Sequence, residues 1–171
     1  MDKMVLKNVT TVALFLFVTG ISKGQINLKA PVITKDSIYV NAPIQKVWAS
    51  MYEINNWNKR YDFIINTHVE KSVEVNNYFR WQTTKLKLRS KILVVNKNSQ
   101  LCWVGSKYGV KVYHNWIFIQ VADNKTLLIS EESQQGFFAV LFKKKFKKSL
   151  KEGSMKWLNQ IKKSTENDPR N

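Results

Sequence analysis

The chain has 171 residues, with 28 Lys and Arg against 12 Asp and Glu, two His and one Cys, for a formal net charge of +16 at neutral pH. A hydrophobic content of 44% with six Trp, six Gly and three Pro excludes a disordered, collagen-like or low-complexity chain, and the length suits one domain with its own core. The lone Cys102 excludes an internal disulfide framework and paired-thiol zinc or redox sites; between Leu101 and Trp103 it reads as a buried structural thiol.

The N-terminal stretch carries Lys3 and Lys7, then an uncharged run from Val9 to Ile21, then Ser22, Lys23, Gly24 and Gln25. This is the pattern of a secretory signal. The apolar run of about 13 residues falls short of the roughly 20 that a permanent spanning helix needs, and Ser22 and Gly24 put small side chains where a signal peptidase cuts. Residues 1–24 are therefore expected to be removed near Gly24, with a periplasmic or secreted destination; an uncleaved N-terminal membrane anchor is the alternative. Their loss takes away Asp2, Lys3, Lys7 and Lys23 and leaves the chain near +14, so export does not account for the basic character.

Residues 25–32 read as a short tail running into a first strand from Val32 to Val40. Asn41-Ala42-Pro43 stops it, and Pro43 fits the first turn of a helix in which Ile44, Val47, Trp48 and Met51 share one face. A second small helical turn is expected around Asn55 to Tyr61. Period-two segments follow near Thr67–Val75, Tyr78–Thr83, Leu86–Val95, Leu101–Gly105, Val112–Val121 and Thr126–Ser133, separated by Asn-, Asp- and Gly-containing turns. Connections this short leave no room for crossover helices, so the sheet is expected to be an antiparallel meander.

Phe138 to about Lys163 predicts one long helix, with Phe138, Phe142, Phe146, Leu150, Gly153, Trp157 and Ile161 on one face and the lysines off it. Residues 164–171 read as a flexible tail. An antiparallel sheet must bury one face, and only the last helix is long enough to cover it. Gly153 lies near the middle of the covering face, where a cavity can open.

These residues resemble the SRPBCC superfamily, which includes START lipid-transfer and polyketide cyclase/dehydrase-like proteins, and specifically its poorly characterised bacterial branch. The resemblance is carried by Val40-Asn41-Ala42-Pro43-Ile44-Gln45-Lys46-Val47-Trp48, Ile54-Asn55-Asn56-Trp57, Leu101 to Gly105, His114 to Phe118, Thr126 to Gly136, and the closing helix Leu150 to Lys163. It spans residues 33–163 and implies an α+β helix-grip fold: a curved seven-stranded antiparallel sheet around a long C-terminal helix, two short helices after the first strand, and an apolar cavity between sheet and helix. Carriers, receptors and enzymes share that fold, so the resemblance does not select an activity.

If Asp123-Asn124 is a two-residue turn, Ala122 faces Lys125 and the numbers of facing partners sum to 247. His114, Trp116, Phe118, Ile129 and Glu131 then share one face, taken as the cavity side, and Asn115, Ile117, Ile119, Ser130 and Glu132 the other. His114 diagonal to Glu131 is the one acid/base pair on a plausible inner surface, either an edge hydrogen bond or a proton-transfer pair. Trp81, Trp103, Trp116, Phe118, Phe146, Leu150, Gly153 and Trp157 are candidate lining, although core packing accounts for such aromatics equally well. Trp57 and Tyr61 are candidate lids over the cavity mouth.

No ligand set suits zinc or calcium, and phosphate-loop, dinucleotide and serine-elbow motifs are absent, so neither metal nor cofactor is expected. Nine Lys lie between residues 143 and 163 against the single acid Glu152. Lys143, Lys144, Lys145, Lys147 and Lys148 form either a solvated helix face or a peripheral contact with an anionic membrane; nucleic acid is not expected, since no recognition helix or base-stacking strand accompanies them. The resulting expectation is a monomer that binds a hydrophobic small molecule or lipid. A cyclase, dehydratase or hydrolase acting through His114 and Glu131 is the alternative, and an envelope protein with no usable cavity is a third possibility.

Overall fold

The computed structural model describes residues 26–167, so the proposed signal segment, residues 1–24, lies outside the described residues. Seven strands, β1 (Val32–Val40), β2 (Ile64–Val69), β3 (Tyr78–Thr83), β4 (Lys87–Asn96), β5 (Gln100–Lys107), β6 (Val110–Ala122) and β7 (Lys125–Gln135), form one antiparallel sheet in the order β1-β7-β6-β5-β4-β3-β2. Helix α1 (Ile44–Tyr52), a 3-10 turn (Ile54–Asn56) and α2 (Trp57–Arg60) link β1 to β2 at opposite edges, and α3 (Phe137–Leu141) and α4 (Lys143–Glu166) follow β7.

Three local departures from the sequence reading have physical causes. The segment around Val73–Val75 alternates but is not strand: Asn77 bonds back to Ser72, Asn76 takes φ +72°, and β2 lies earlier, at Ile64–Val69. The Gly105–Gly109 stretch, expected to be a loop, is mostly strand, closed by the two-residue turn Tyr108-Gly109 with φ of +49° and +73°. Positive φ at both positions is what a tight turn between right-twisted strands requires. The tail expected from 164 onward is helical to Glu166, where Thr165 is buried and the Glu166 carboxylate accepts the Asn41 backbone N–H at 2.6 Å.

The single long helix expected from Phe138 is in fact two. Phe142, at φ −110° and ψ 33°, leaves the helical region between α3 and α4. Only the C-terminal part of α4 is clamped, burying Leu150, Ser154, Trp157, Leu158 and Ile161, while Phe138 and Phe142 stay half-exposed. Asp36, buried on the inner face of β1, pairs with Lys151 and ties α4 to the sheet.

The hairpin turn at Asp123-Asn124 is where the sequence placed it, with Ala122 facing Lys125. The register then shifts between Gln120 and Ala122, and from Thr126 onward partners sum to 246: His114 faces Glu132 and Trp116 faces Ser130. Val121 is thus a β-bulge, and because side chains alternate with period two, one extra residue turns all of β7 over. The expected inner position of Glu131 is corrected to Glu132. Glu131 points outward, where it pairs with Lys35 at 2.8 Å and accepts a hydrogen bond from Asn115 at 3.0 Å.

Candidate functional site: an apolar cavity with a polar inner wall

Alternation along β6 places Val110, Val112, His114, Trp116 and Phe118 on the concave face, and the corrected register adds Leu128, Ser130, Glu132 and Gln134 from β7. Tryptophans fill one end of the space beneath α4. Trp57 sits at their centre, with ring centroids 5.6 Å from Phe79, 5.6 Å from Trp103 and 5.1 Å from Trp157, and its indole N–H donates to the Met51 carbonyl at 3.0 Å. Trp116 stacks on Trp103 and Phe118 meets Trp48 edge-on at 5.2 Å, so all three are core rather than lining.

The expected lids are corrected by the same packing. Trp57 and Tyr61 are 0% and 1% exposed and form the floor of the packed end, where they cannot close a mouth. The Tyr61 hydroxyl donates to the Ser50 carbonyl at 2.8 Å, and burial pushes its pKa up to about 12.

The other end of the grip is open. A cavity of about 580 Å³ lies between sheet and helix, and Trp81, His114, Phe146, Leu150, Gly153 and Trp157 of the expected residues line it. A Cβ built on Gly153 would meet nothing within 4 Å, so the glycine faces empty space as its position in the helical pattern suggested. Gly105 lets Trp81 and Ser90 come together: a Cβ there would approach Ser90 Oγ to 3.0 Å, and that hydroxyl accepts the Trp81 indole N–H at 3.0 Å.

One wall of this apolar space is polar. His114 Nδ1 lies 3.0 Å from Glu132 Oε2, out of line for a hydrogen bond, and the imidazole stacks on Trp103 with centroids 5.3 Å apart. Glu132 is 2% exposed, and its other oxygen is 3.5 Å from the Ser130 hydroxyl. Gln134 Oε1, on the same strand face, is buried without a partner. Gln134 Oε1 and His114 Nδ1 are thus two buried polar atoms on this wall without a hydrogen-bond partner, each at a cost of roughly 1–3 kcal/mol. The sequence pointed to His114 but missed Glu132 and Gln134, because only the bulge at Val121 distinguishes Glu132 from its neighbour.

A larger polar depression of about 940 Å³ lies where α1 begins and α4 ends; Arg60 and Glu53 at its rim pair with each other. Among the described residues no group of three His, Cys, Asp or Glu converges to hold a metal, and no helix is long and apolar enough to cross a membrane. Lys143, Lys144, Lys145, Lys147 and Lys148 are exposed and, among the described residues, form no ion pair.

Neither a known protein family nor a curated protein matches the chain by sequence. Solved structures do match by shape. A hypothetical protein, jhp0584 of Helicobacter pylori, superimposes with TM-score 0.72 at 18% identity, covering 95% of this chain and 99% of that one. The Zhui aromatase/cyclase of Streptomyces sp. R1128 gives 0.69 at 10% identity over 81% of this chain and 95% of that one. A START superfamily protein of Mycobacterium smegmatis gives 0.60 at 10% identity, over 77% and 97% respectively. The chain shares its helix-grip fold, a curved antiparallel sheet around a long last helix, with these structures. In this chain the cavity lies between the sheet and the last helix.

Proposed function

We propose that this helix-grip protein binds a hydrophobic small molecule carrying one hydrogen-bond donor, with the apolar body under α4 and the donor against Glu132 and Gln134. The supporting observation is the cavity of about 580 Å³ with its unpartnered Gln134 Oε1, a size within the range of roughly 300–1,000 Å³ typical of small-molecule sites. Desolvation of the ligand drives loading. A ligand carboxylate at the inner wall would place like groups together in a space of low dielectric, which favours a hydroxylated isoprenoid, lipid or polycyclic aromatic in that orientation.

Native mass spectrometry of protein purified from its own host tests this: a co-purifying neutral hydrophobic mass is expected, and its loss in Gly153→Phe. An empty wild-type protein whose tryptophan fluorescence no hydroxylated hydrophobe perturbs would overturn it. A second reading, favoured by the His114–Glu132 contact, is that the pair moves a proton on the bound molecule, as in a cyclase or dehydratase. His114→Ala separates the two: a carrier changes modestly in affinity, whereas an enzyme loses turnover and keeps its ligand.

The N-terminal pattern supports export of the mature chain, and the lysines after α3 support peripheral contact with an anionic membrane. N-terminal sequencing of protein from the cell envelope or medium is expected to begin at Gln25; an intact Met1 on membrane-bound protein would favour the anchor.

A further inference from the structure

The five residues of α3 and the one after it are an unusual stretch for a protein surface. Phe137 is 72% exposed, Val140 64%, Leu141 59% and Phe142 48%, and the tip of the β5–β6 hairpin adds Tyr108 at 75%. Phe138 and Phe142 stack on one another and also border the cavity, so the patch and the mouth are continuous.

The patch is held in place. Gly136, at φ +128°, passes so close to the hairpin tip that a Cβ there would be driven into the Gly109 carbonyl, and one on Gly109 would touch the Phe138 ring at 4.0 Å. Glycine at both points lets the start of α3 rest on the tip, making a single rigid rim.

Charge tells what the rim faces. Residues 75–122 and 133–151, which supply the hairpin, α3 and the first turns of α4, together hold fourteen Lys and Arg and no Asp or Glu; Arg80 and Arg89 pair with Glu70 and Lys151 with Asp36, which leaves eleven with no ion pair among the described residues. Lys143, Lys144, Lys145, Lys147 and Lys148 follow the apolar patch directly and are exposed. A second copy of this chain would bring the same unbalanced cations against them, whereas an anionic bilayer offers negative head groups beside a hydrocarbon layer.

We infer that the rim formed by α3 and Tyr108 is a membrane-docking surface, which seats its aromatic and aliphatic side chains in the interface of an anionic bilayer and opens the cavity toward the lipid. This rests on the ligand-binding reading and adds the route: a hydrophobic ligand enters between Phe138, Phe142 and Tyr108 without crossing water.

Co-sedimentation of the full chain with vesicles of phosphatidylcholine, with and without phosphatidylglycerol, tests it. Binding is expected only with phosphatidylglycerol and is weakened by high salt. The double variant Phe137→Ser/Leu141→Ser, at exposed positions away from the core, is expected to lose about tenfold or more in vesicle affinity at unchanged thermal stability. The triple variant Lys144→Gln/Lys145→Gln/Lys148→Gln is expected to lose about a hundredfold and to flatten the salt dependence, at about 1 kcal/mol per lysine.

Vesicle binding unchanged by Phe137→Ser/Leu141→Ser would overturn the inference and point to residues 1–24 or to the lysines alone. So would a wild-type dimer that the same variant dissolves. The cavity reading fails separately: Gly153→Phe is expected to keep vesicle binding while losing ligand, and wild-type protein that binds vesicles but never a ligand would sink only the cavity.

Discussion

The two ends of the grip are built from the same kinds of residue and behave oppositely. At the end under α1 and α2, Trp57, Trp103, Trp116 and Tyr61 are at most 1% exposed and interlock with Trp157 and Phe79. At the other end Phe138, Phe142 and Tyr108 stand roughly half-exposed or more around empty space, with Gly153 where a larger residue would fill it. The packing differs along the helices: the C-terminal part of α4 is clamped by tryptophans, whereas α3 and the first turns of α4 are anchored only by the small cluster of Val32, Val110, Ala139 and Leu150 and border the cavity. Trp157 touches both, its ring 5.1 Å from Trp57 while its edge lines the cavity.

The sharpest way to break the contrast is to truncate an aromatic at each end. Trp57→Ala removes a side chain in contact with four other rings and frees the Met51 carbonyl, and is expected to cost about 3–5 kcal/mol in urea denaturation. Phe137→Ser at the mouth is expected to stay within about 0.5 kcal/mol of wild type, because solvent already covers the ring. Comparable losses at the two sites would mean that the mouth is packed after all.

Alkaline titration probes the packed end alone. The Tyr61 phenol has its pKa pushed from 10.0 up to about 12, chiefly by burial. The fold therefore favours the protonated phenol, and its contribution is complete below pH 10 and is lost as pH rises from 10 toward 12. Tyr61→Phe is expected to remove that part of the alkaline decline, on the order of 2 kcal/mol, leaving the part due to other groups. An identical slope in both proteins between pH 10 and 12 would show that Tyr61 is wet.

How far the sequence anticipates each end follows from what each depends on. The antiparallel meander, the turn at Asp123-Asn124, the apolar stripe Leu150, Trp157, Ile161 and the vacancy at Gly153 all follow from period and turn chemistry, which are local. The inner wall does not. Glu131 and Glu132 are adjacent and equivalent in any alternating pattern, and a single bulged residue at Val121, eleven positions away along the hairpin from Glu132, decides which is buried. The break at Phe142 is likewise invisible to helical periodicity, since the apolar spacing continues through it. The burial of Trp57 and Tyr61 is not legible either, because a short helical connection has the pattern of a surface loop and only the opposite wall, Phe79 and Trp103, encloses it.

The smallest expected effect lies where the two ends meet. Glycine inside a helix costs roughly 0.5–1 kcal/mol relative to alanine, and Gly153 lies well inside the 24-residue α4 with open space where its Cβ would be. Gly153→Ala is therefore expected to raise unfolding stability by about 0.5–1 kcal/mol, since the methyl displaces no neighbour. Because it only trims the cavity, ligand binding is expected to survive, in contrast to Gly153→Phe. A destabilised Gly153→Ala would mean that the helix backbone closes on the sheet at this position, and the open end of the grip would then be narrower than the packed end requires.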